Sequence, residues 1–295
     1  MASLYTEITP AAVRNAKGLH LITCLTPNGN KVHILLEELK DVYGLEWTTS
    51  LIDIDTDEQK KPWFLKLNPN GKIPVLIDNT GEEPFPVIES SAELLYLCET
   101  VDKDHHFSFS NAKEQSQMMQ WLIFWHASGQ PNQSQLNHFG RFASEQIPYA
   151  IEKFKAETLR VYNVLELHLS GRLNCQPREY LAGNGPGKFS IADINAYPWV
   201  KGWKRSKISE QEMESYPHLK EWIDRIASRP AVQRGTGDMY DEDIHPELLI
   251  TDSLTLDIFI GIGVKRTTER RGGMRVGDTA GIRAVTWAQV EVTPY

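Results

Sequence analysis

Two short segments of the sequence combine residue types that suit a bound peptide. Pro74 stands at the start of a predicted strand, a position where a proline is tolerated because its missing N–H costs no ladder hydrogen bond. If the Ile73–Pro74 bond is cis, the backbone N–H and C=O of Ile73 turn outward and can pair with an extended peptide. Glu89 and Ser90 then begin a predicted helix, whose free N–H groups and serine hydroxyl suit a carboxylate. The sequence therefore predicts a peptide-binding edge next to a carboxylate site.

The three cysteines form no redox or metal motif of their own. Cys24, Cys98 and Cys175 make neither a CxxC pair nor a Cys/His zinc spacing. We expect Cys24 to be a buried residue at the end of a strand, Cys98 to lie on a helix and Cys175 to lie in a loop. A sparse and odd number of cysteines is typical of a reducing compartment. The pattern favours a cytoplasmic protein over a disulfide scaffold.

Length and charge exclude several broad classes of protein. The chain has 295 residues, of which 41% are hydrophobic and 24% charged, as in an ordinary globular protein of one or two domains. A formal net charge of −8 argues against a nucleic-acid partner. No apolar run approaches the ~18 residues of a membrane-spanning helix, so we expect no membrane partner. Residues 1–17 lack the apolar segment of a secretory signal and are expected to be a loose leader.

Hydrophobic periodicity predicts the elements that must position the candidate groups. Residues 18–104 alternate strand and helix signals in the order β-α-β-α-β-β-α, with a hairpin near the end. A polar linker follows, and residues 111–249 carry helical patterns without an apparent strand. Residues 250–295 follow neither pattern and are expected to be a disordered or mis-annotated tail, with a basic interaction arm as the less favoured reading. The predicted fold class is an α/β domain followed by an all-α domain.

Strand and helix bounds can be placed from the same patterns. The predicted strands are Leu19–Cys24, Trp47–Ile54, Ile73–Ile77 and Phe85–Ile88. The principal helices are predicted to begin at Asn30, Ser90, Ala112, Pro148, Ser190 and Pro217. The helix from Ala112 is expected to end at Ala127, and the helix from Pro148 at Leu169.

The order and spacing of the candidate segments resemble a known family. Lys72-Ile73-Pro74-Val75-Leu76 followed by Ile88-Glu89-Ser90 resembles the glutathione-binding core of the cytosolic glutathione transferases. Phe189 to Ile194 resembles the capping box of that family's helical domain, in which Ser190 caps a helix and Asp193 satisfies its first turn. The resemblance extends over roughly residues 19–249.

Two further segments resemble one subgroup of this family. Thr26-Pro27-Asn28-Gly29-Asn30-Lys31-Val32 and the segment Trp125 to Pro131 are similar to the fungal and bacterial nu-class transferases. That subgroup is similar to the C-terminal region of the yeast nitrogen-catabolite regulator, which is also a prion. The sequence departs at Lys153-Phe154, where relatives usually have Arg-Tyr, so a contact made by that arginine is not carried over.

The resemblance implies a thioredoxin-like N-terminal domain, a helical C-terminal domain and glutathione as co-substrate. In this subgroup the Asn28 amide and the Thr26 hydroxyl would face the glutathione sulfur. Hydrogen bonds donated to the thiolate favour its charged form and lower the thiol pKa. The resemblance implies further glutathione contacts. Gln59 and Lys72 would contact the glycyl end, and Ile73 and Pro74 the peptide backbone. Glu89 and Ser90 would contact the γ-glutamyl end.

Four tryptophans of the helical region receive different predictions. Trp121 and Trp125 are candidates for the acceptor pocket, although aromatic residues at this spacing are more often core residues. Trp199 and Trp203 are expected to lie with neighbouring lysines on a solvated helix face.

The functional hypothesis is a homodimeric cytoplasmic glutathione transferase. Its partner would be a small-molecule electrophile that becomes conjugated, or a disulfide that becomes reduced, in detoxification or secondary metabolism. The alternative is a regulatory or binding protein that keeps the fold without catalysis. A dithiol oxidoreductase that uses its own cysteines is disfavoured, because no CxxC pair is present.

Overall fold

The computed structural model of the protein describes residues 4–173 and 176–250. Cys175 and residues 251–295 of the predicted tail lie outside these ranges. Ile250 belongs to the packed part of the chain, since it is buried and its N–H donates to the Leu51 carbonyl. None of the helices in the described ranges has the length and apolar character needed to cross a membrane.

A four-stranded mixed sheet forms the first region of the molecule. Its spatial order is β2-β1-β3-β4, with β1 parallel to β2 and antiparallel to β3, and with β3 antiparallel to β4. Successive side chains point to opposite faces, so that Leu21 joins one hydrophobic cluster and Ile22 the other. The strands are β1 (Gly18–Thr23), β2 (Trp47–Leu51), β3 (Val75–Asn79) and β4 (Phe85–Ile88).

Helices cover the sheet and make up the second region. The first region contains α1 (Ala11–Arg14), α2 (Pro27–Tyr43), α3 (Pro62–Leu67) and α4 (Ser90–Thr100). The second region contains α5 (Ala112–Phe124), α6 (Gln130–Asn137), α7 (Pro148–Leu169), α8 (Ile191–Lys201), α9 (Glu210–Met213), α10 (Pro217–Ala227) and α11 (Pro230–Gly235). This architecture confirms the predicted α/β region followed by a helical region.

Helix α2 joins the two regions. Gly235 of α11 lies so close to α2 that an added Cβ would come within 2.7 Å of the Ile34 nitrogen. The Arg229 guanidinium donates two hydrogen bonds, of 2.6 and 2.8 Å, to the Glu38 carboxylate. Close backbone approach and paired charges therefore fix α2, which carries Asn28, against the C-terminal helices.

Asp193 has the folding role that the sequence predicts. Its carboxylate is fully buried and accepts from the Ser190 N–H, the Leu181 N–H and the Trp222 indole N–H at 2.8–3.1 Å. The capping box at Ser190 is present. This buried hydrogen-bond centre holds α8 in place, and α8 in turn carries Trp199.

Two segments that were expected to be loose, the leader and the linker, are packed in the structure. The described part of the leader is packed, because Val13 is fully buried and the Tyr5 hydroxyl donates to Asn79. The linker is also built, since the buried Asp102 carboxylate accepts from the N–H groups of His106 and Phe107. The leader is therefore held by a partner remote in the chain, whereas the linker is held by hydrogen bonds within itself.

Local backbone chemistry explains the shifted element bounds. β2 ends at Leu51, three residues before the predicted end, because Asp53 caps a 3-10 turn over Ile54–Thr56. β3 begins at Val75 rather than Ile73. α5 ends at Phe124 and passes into a π-helical turn over Trp125–Gly129, a feature common at functional sites.

Candidate active site

Strand pairing brings the two predicted peptide-binding segments together. The Ile73–Pro74 bond is cis, which is the condition under which the Ile73 backbone groups turn outward. Val75 is the direct partner of Ile88 in the β3–β4 pair, so Pro74 and Glu89 continue from neighbouring strand ends. Within the described residues, neither the N–H nor the C=O of Ile73 has a hydrogen-bond partner. These two groups form an open edge of the kind that pairs with an extended peptide.

The start of α4 is prepared for an anion. Glu89 takes φ 70° and ψ 110°, a backbone region that non-glycine residues rarely occupy. Its carbonyl accepts the N–H groups of Ala92 and Glu93, whereas those of Ser90 and Ser91 find no acceptor among the described residues. Such unfilled N–H groups at a helix N-terminus, with the favourable end of the helix dipole, suit a carboxylate. Strain of this type is concentrated at functional sites.

Asn28 is oriented by a residue from the second region. Thr26 caps α2 and accepts the Gly29 N–H at 3.1 Å, while Pro27 takes the first helical position. The indole N–H of Trp199 donates to the Asn28 side-chain oxygen at 2.9 Å. An indole nitrogen only donates, so this contact fixes which end of the amide is the oxygen. Among the described residues the Asn28 NH₂ group has no acceptor, whereas the Thr26 hydroxyl also interacts with the Cys24 thiol.

The backbone under this turn tolerates only glycine. A Cβ on Gly29 would lie 2.3 Å from the Cys24 carbonyl oxygen and 2.7 Å from the Thr23 hydroxyl. Thr23 is itself hydrogen bonded to the buried His33 ring at 2.8 Å, and that ring stacks on Tyr240. The Asn28 turn therefore rests on a closely packed base.

The described cysteines are unsuited to be nucleophiles. Cys24 and Cys98 are free and buried. Burial is the main cause that raises the pKa of Cys24 to about 12, and the pKa of Cys98 is also raised. A thiol with such a pKa is protonated at neutral pH and unreactive. The predicted burial of Cys24 is confirmed, but β1 ends at Thr23, so Cys24 lies one residue beyond the strand.

Gln59 and Lys72 lie in different surroundings. The Gln59 side-chain NH₂ donates to the Ile54 carbonyl at 3.1 Å, which holds the turn after β2, and its buried oxygen has no partner in the described part of the chain. Lys72 is exposed, on a loop closed by a 2.8 Å hydrogen bond from the Asn68 amide to the Lys72 carbonyl. Lys72 thus offers an exposed cation, whereas Gln59 contributes to the loop structure.

Three of the four tryptophan predictions are corrected by burial. Trp125 is 1% exposed and belongs to the core, so it does not line an open pocket. Trp121 is partly buried and packs on the His168 ring at a centroid distance of 4.2 Å. Trp199 and Trp203 are each 8% exposed, so neither lies on a solvated face. The i, i+4 spacing of aromatic residues does not distinguish a pocket wall from a core.

Lys31 lies beside the candidate site residue Ser90 and was not predicted from the sequence. It is fully buried, and its ammonium donates to the Ser90 hydroxyl at 3.3 Å and to the Gln130 side-chain oxygen at 2.6 Å. Its place in the helix pattern, directly before Val32, gave no sign of this. The available signal was its position one turn after Asn28, in a segment already identified as functional.

Comparison with known proteins identifies the family of the chain. Residues 26–100 match the family model described as glutathione S-transferase, N-terminal domain, and residues 134–230 match the glutathione S-transferase C-terminal domain. The chain belongs to the glutathione S-transferase family. This finding confirms the predicted family and its thioredoxin-like and helical domains.

Individual relatives place the chain more closely within the family. Disulfide-bond oxidoreductase YfcG of Escherichia coli is 40% identical over 210 residues, which cover 70% of this chain and 88% of YfcG. Protein URE2 of Debaryomyces hansenii is 32% identical over 234 residues, covering 70% and 74% of the two chains. A glutathione transferase homolog from Lodderomyces elongisporus, solved with two GSH per subunit, superposes with a TM-score of 0.67 at 35% identity and covers 75% of this chain and 98% of its own.

Proposed function

We propose that this glutathione S-transferase family member binds glutathione and activates its thiol through Asn28. The observation that carries the proposal is the hydrogen bond from the Trp199 indole to the Asn28 oxygen. It leaves the Asn28 NH₂ group as a fixed donor at the start of α2, where the helix dipole also favours an anion. A thiolate that accepts this hydrogen bond, with a second from Thr26, has a lowered pKa and is populated near neutral pH.

The remaining contacts assign each end of the tripeptide to one part of the site. The open Ile73 backbone beside Pro74 would pair with the cysteinyl backbone. Glu89 and Ser90 would hold the γ-glutamyl end at the start of α4, and Lys72 the glycyl carboxylate. Gln59 would reach the same carboxylate through its second amide hydrogen, because its first is used on the Ile54 carbonyl.

We propose reduction of a small disulfide as the principal reaction. The glutathione thiolate attacks one sulfur of the substrate, forms a mixed disulfide and releases the other sulfur as a thiolate, which takes up a proton. A second glutathione thiolate then attacks the glutathione sulfur of that intermediate. Two glutathiones are oxidised to glutathione disulfide and one substrate disulfide becomes two thiols. The name of the relative YfcG supports this choice over conjugation to an electrophile, which uses the same thiolate.

We also propose a cytoplasmic homodimer. An open groove of about 790 Å³ runs along α5 and is lined by apolar residues that include Met119, Ile123 and Phe124. Ile123 is 51% exposed and lies in this groove beside Met119 and Phe124, and a second subunit would cover the three side chains together. Sedimentation should show a dimer that Ile123→Glu converts to a monomer. A role in detoxification or secondary metabolism stays a prediction.

The proposed activity can be tested directly. The protein is titrated with reduced glutathione and with glutathione disulfide, and it is then assayed with a dialkyl disulfide and with an aryl halide. We expect binding of both glutathione forms and faster turnover of the disulfide, with both reactions weakened by Asn28→Ala. Failure of a folded protein to bind either form would overturn the proposed function.

A further inference from the structure

Lys31 connects three helices at the proposed γ-glutamyl end of the site. It lies on α2, one turn after Asn28, and is fully buried. Its ammonium reaches Ser90 at the start of α4 and Gln130 at the start of α6. A buried cation costs considerable free energy unless its surroundings compensate its charge. The position of this buried ammonium, in contact with a predicted binding residue, therefore suggests a role in binding.

The compensating charge comes from α4. Glu93 is fully buried, and neither of its carboxylate oxygens has a hydrogen-bond partner within the described residues. Glu93 lies one turn after Glu89 and Ser90, and the negative charges of Glu93 and Glu89 favour the protonated form of Lys31. Burial acts in the opposite direction and is the larger cause, so the pKa of Lys31 is lowered to about 7. Burial raises the pKa of Glu93.

The contact with Lys31 decides what Ser90 can do. A hydroxyl has a single proton, and an ammonium has only donors. Because the Ser90 oxygen accepts from Lys31, its own proton is directed to another acceptor. The described residues provide none for it, and the unfilled N–H groups of Ser90 and Ser91 lie at the same helix start. Apart from the Glu89 carboxylate, the start of α4 therefore presents hydrogen-bond donors, and the Lys31 ammonium lies behind Ser90.

We infer that Lys31 is a positioning residue that makes the start of α4 selective for a carboxylate, namely the α-carboxylate of the γ-glutamyl group. This inference rests on the proposed function. Lys31 acts through Ser90, which it holds as a donor, and through the field of its charge. Ligands that lack this carboxylate should gain nothing from Lys31.

The test compares two ligands in two variants by calorimetry. The ligands are S-methylglutathione, which has no thiol to titrate, and its analogue in which 4-aminobutanoyl replaces γ-glutamyl and removes the α-carboxylate. We expect the wild type to prefer S-methylglutathione by about 10- to 100-fold, the range of a charge-assisted hydrogen bond. Lys31→Met should abolish most of this preference by weakening only S-methylglutathione. Lys40→Met, at an exposed position on the same helix, should leave the preference unchanged.

The outcomes separate the inference from the proposed function. Equal weakening of both ligands by Lys31→Met, or no weakening, would overturn the inference while glutathione binding stands. Failure of the wild type to bind S-methylglutathione would instead count against the proposed function. If Lys31→Met does not fold because Glu93 loses its counter-charge, the double variant Lys31→Met/Glu93→Gln removes both charges, and the same loss of preference is expected.

Proton uptake provides a readout that a purely structural role would not change. A bound carboxylate stabilises the protonated form of Lys31, so binding of S-methylglutathione near pH 7 should take up protons and weaken as the pH rises toward 8.5. Glu89 and Glu93 on α4 act on Lys31, and α6 presents the neutral Gln130. Arg229, directly before α11, and Arg234 on α11 pair with Glu38 and Glu37 further along α2. Titration in two buffers of different ionisation enthalpy should show uptake in the wild type and none in Lys31→Met, and equal uptake would contradict the inference.

Discussion

The N-termini of α2 and α4 are prepared for their proposed ligand groups in different ways. At α2 the preparation is neutral, because the Trp199 indole orients the Asn28 amide and Thr26 caps the helix. At α4 it is electrostatic, because the buried Lys31 lies behind Ser90 and is balanced by Glu93. A thiolate forms only when a proton leaves, whereas a carboxylate is charged throughout. Activation and anchoring of glutathione should therefore be separable by mutation.

The largest effect is expected at α4. Ser90→Ala should weaken glutathione binding by about 1.5–3 kcal/mol, because it removes a hydrogen bond to a charged group. The thiol pKa of the glutathione that still binds should not change. Calorimetry measures the affinity. Ser91→Ala is the matched control, since the equally buried Ser91 hydroxyl donates to Asn195 and should affect stability rather than affinity. A shift of the thiol pKa in Ser90→Ala would break the separation.

A single added methyl group at Gly29 should disrupt the close packing beneath the Asn28 turn. Gly29→Ala should lower the free energy of unfolding by about 1–3 kcal/mol, because the new Cβ overlaps the Cys24 carbonyl. Urea denaturation measures this loss. Gly81→Ala, at a turn where the nearest atom is 3.8 Å from the added Cβ, should be close to neutral. Equal stability of the two variants would mean that the Asn28 turn adjusts easily.

A smaller effect is expected when the Asn28 amide loses the hydrogen bond that orients it. Trp199→Phe removes the indole donor, so the amide can rotate and present its oxygen to the sulfur. We expect roughly a fivefold loss of kcat/KM, equivalent to about 1 kcal/mol, with little change in affinity for glutathione. Trp203→Phe, at an equally buried position, serves as the control. A loss of glutathione affinity with unchanged turnover would show that Trp199 helps to anchor glutathione and does not help to activate its thiol.

The smallest effect is expected at the protein's own thiol. Cys24→Ser should retain activity within about twofold, because a buried thiol with a pKa near 12 supplies no nucleophile at neutral pH. The steady-state rate of disulfide reduction measures this. Loss of all activity in a folded Cys24→Ser variant would show that the reacting sulfur belongs to Cys24 and not to glutathione bound at α2 and α4.

How far the sequence predicts each region depends on the distance of the interacting partners. Pro74, Glu89 and Ser90 were predicted because strand pairing and helix capping are local and leave short motifs. The orientation of Asn28 depends on Trp199, which is 171 positions away, so no local pattern could reveal it. Lys31 looked like an ordinary polar helix residue because its burial arises from α4 and α6. Trp125 was a candidate for the acceptor pocket, with the core as the alternative, because helical spacing alone does not show which side of a helix meets the core.

The central claim is that the Asn28 amide lowers the thiol pKa of bound glutathione. Ultraviolet absorbance of the thiolate is followed against pH for glutathione bound to the wild type and to Asn28→Ala, at ligand concentrations that saturate both. The account predicts that the pKa of the bound thiol rises by about one unit in Asn28→Ala, the equivalent of one hydrogen bond of about 1.4 kcal/mol. An unchanged pKa in saturated Asn28→Ala would contradict it.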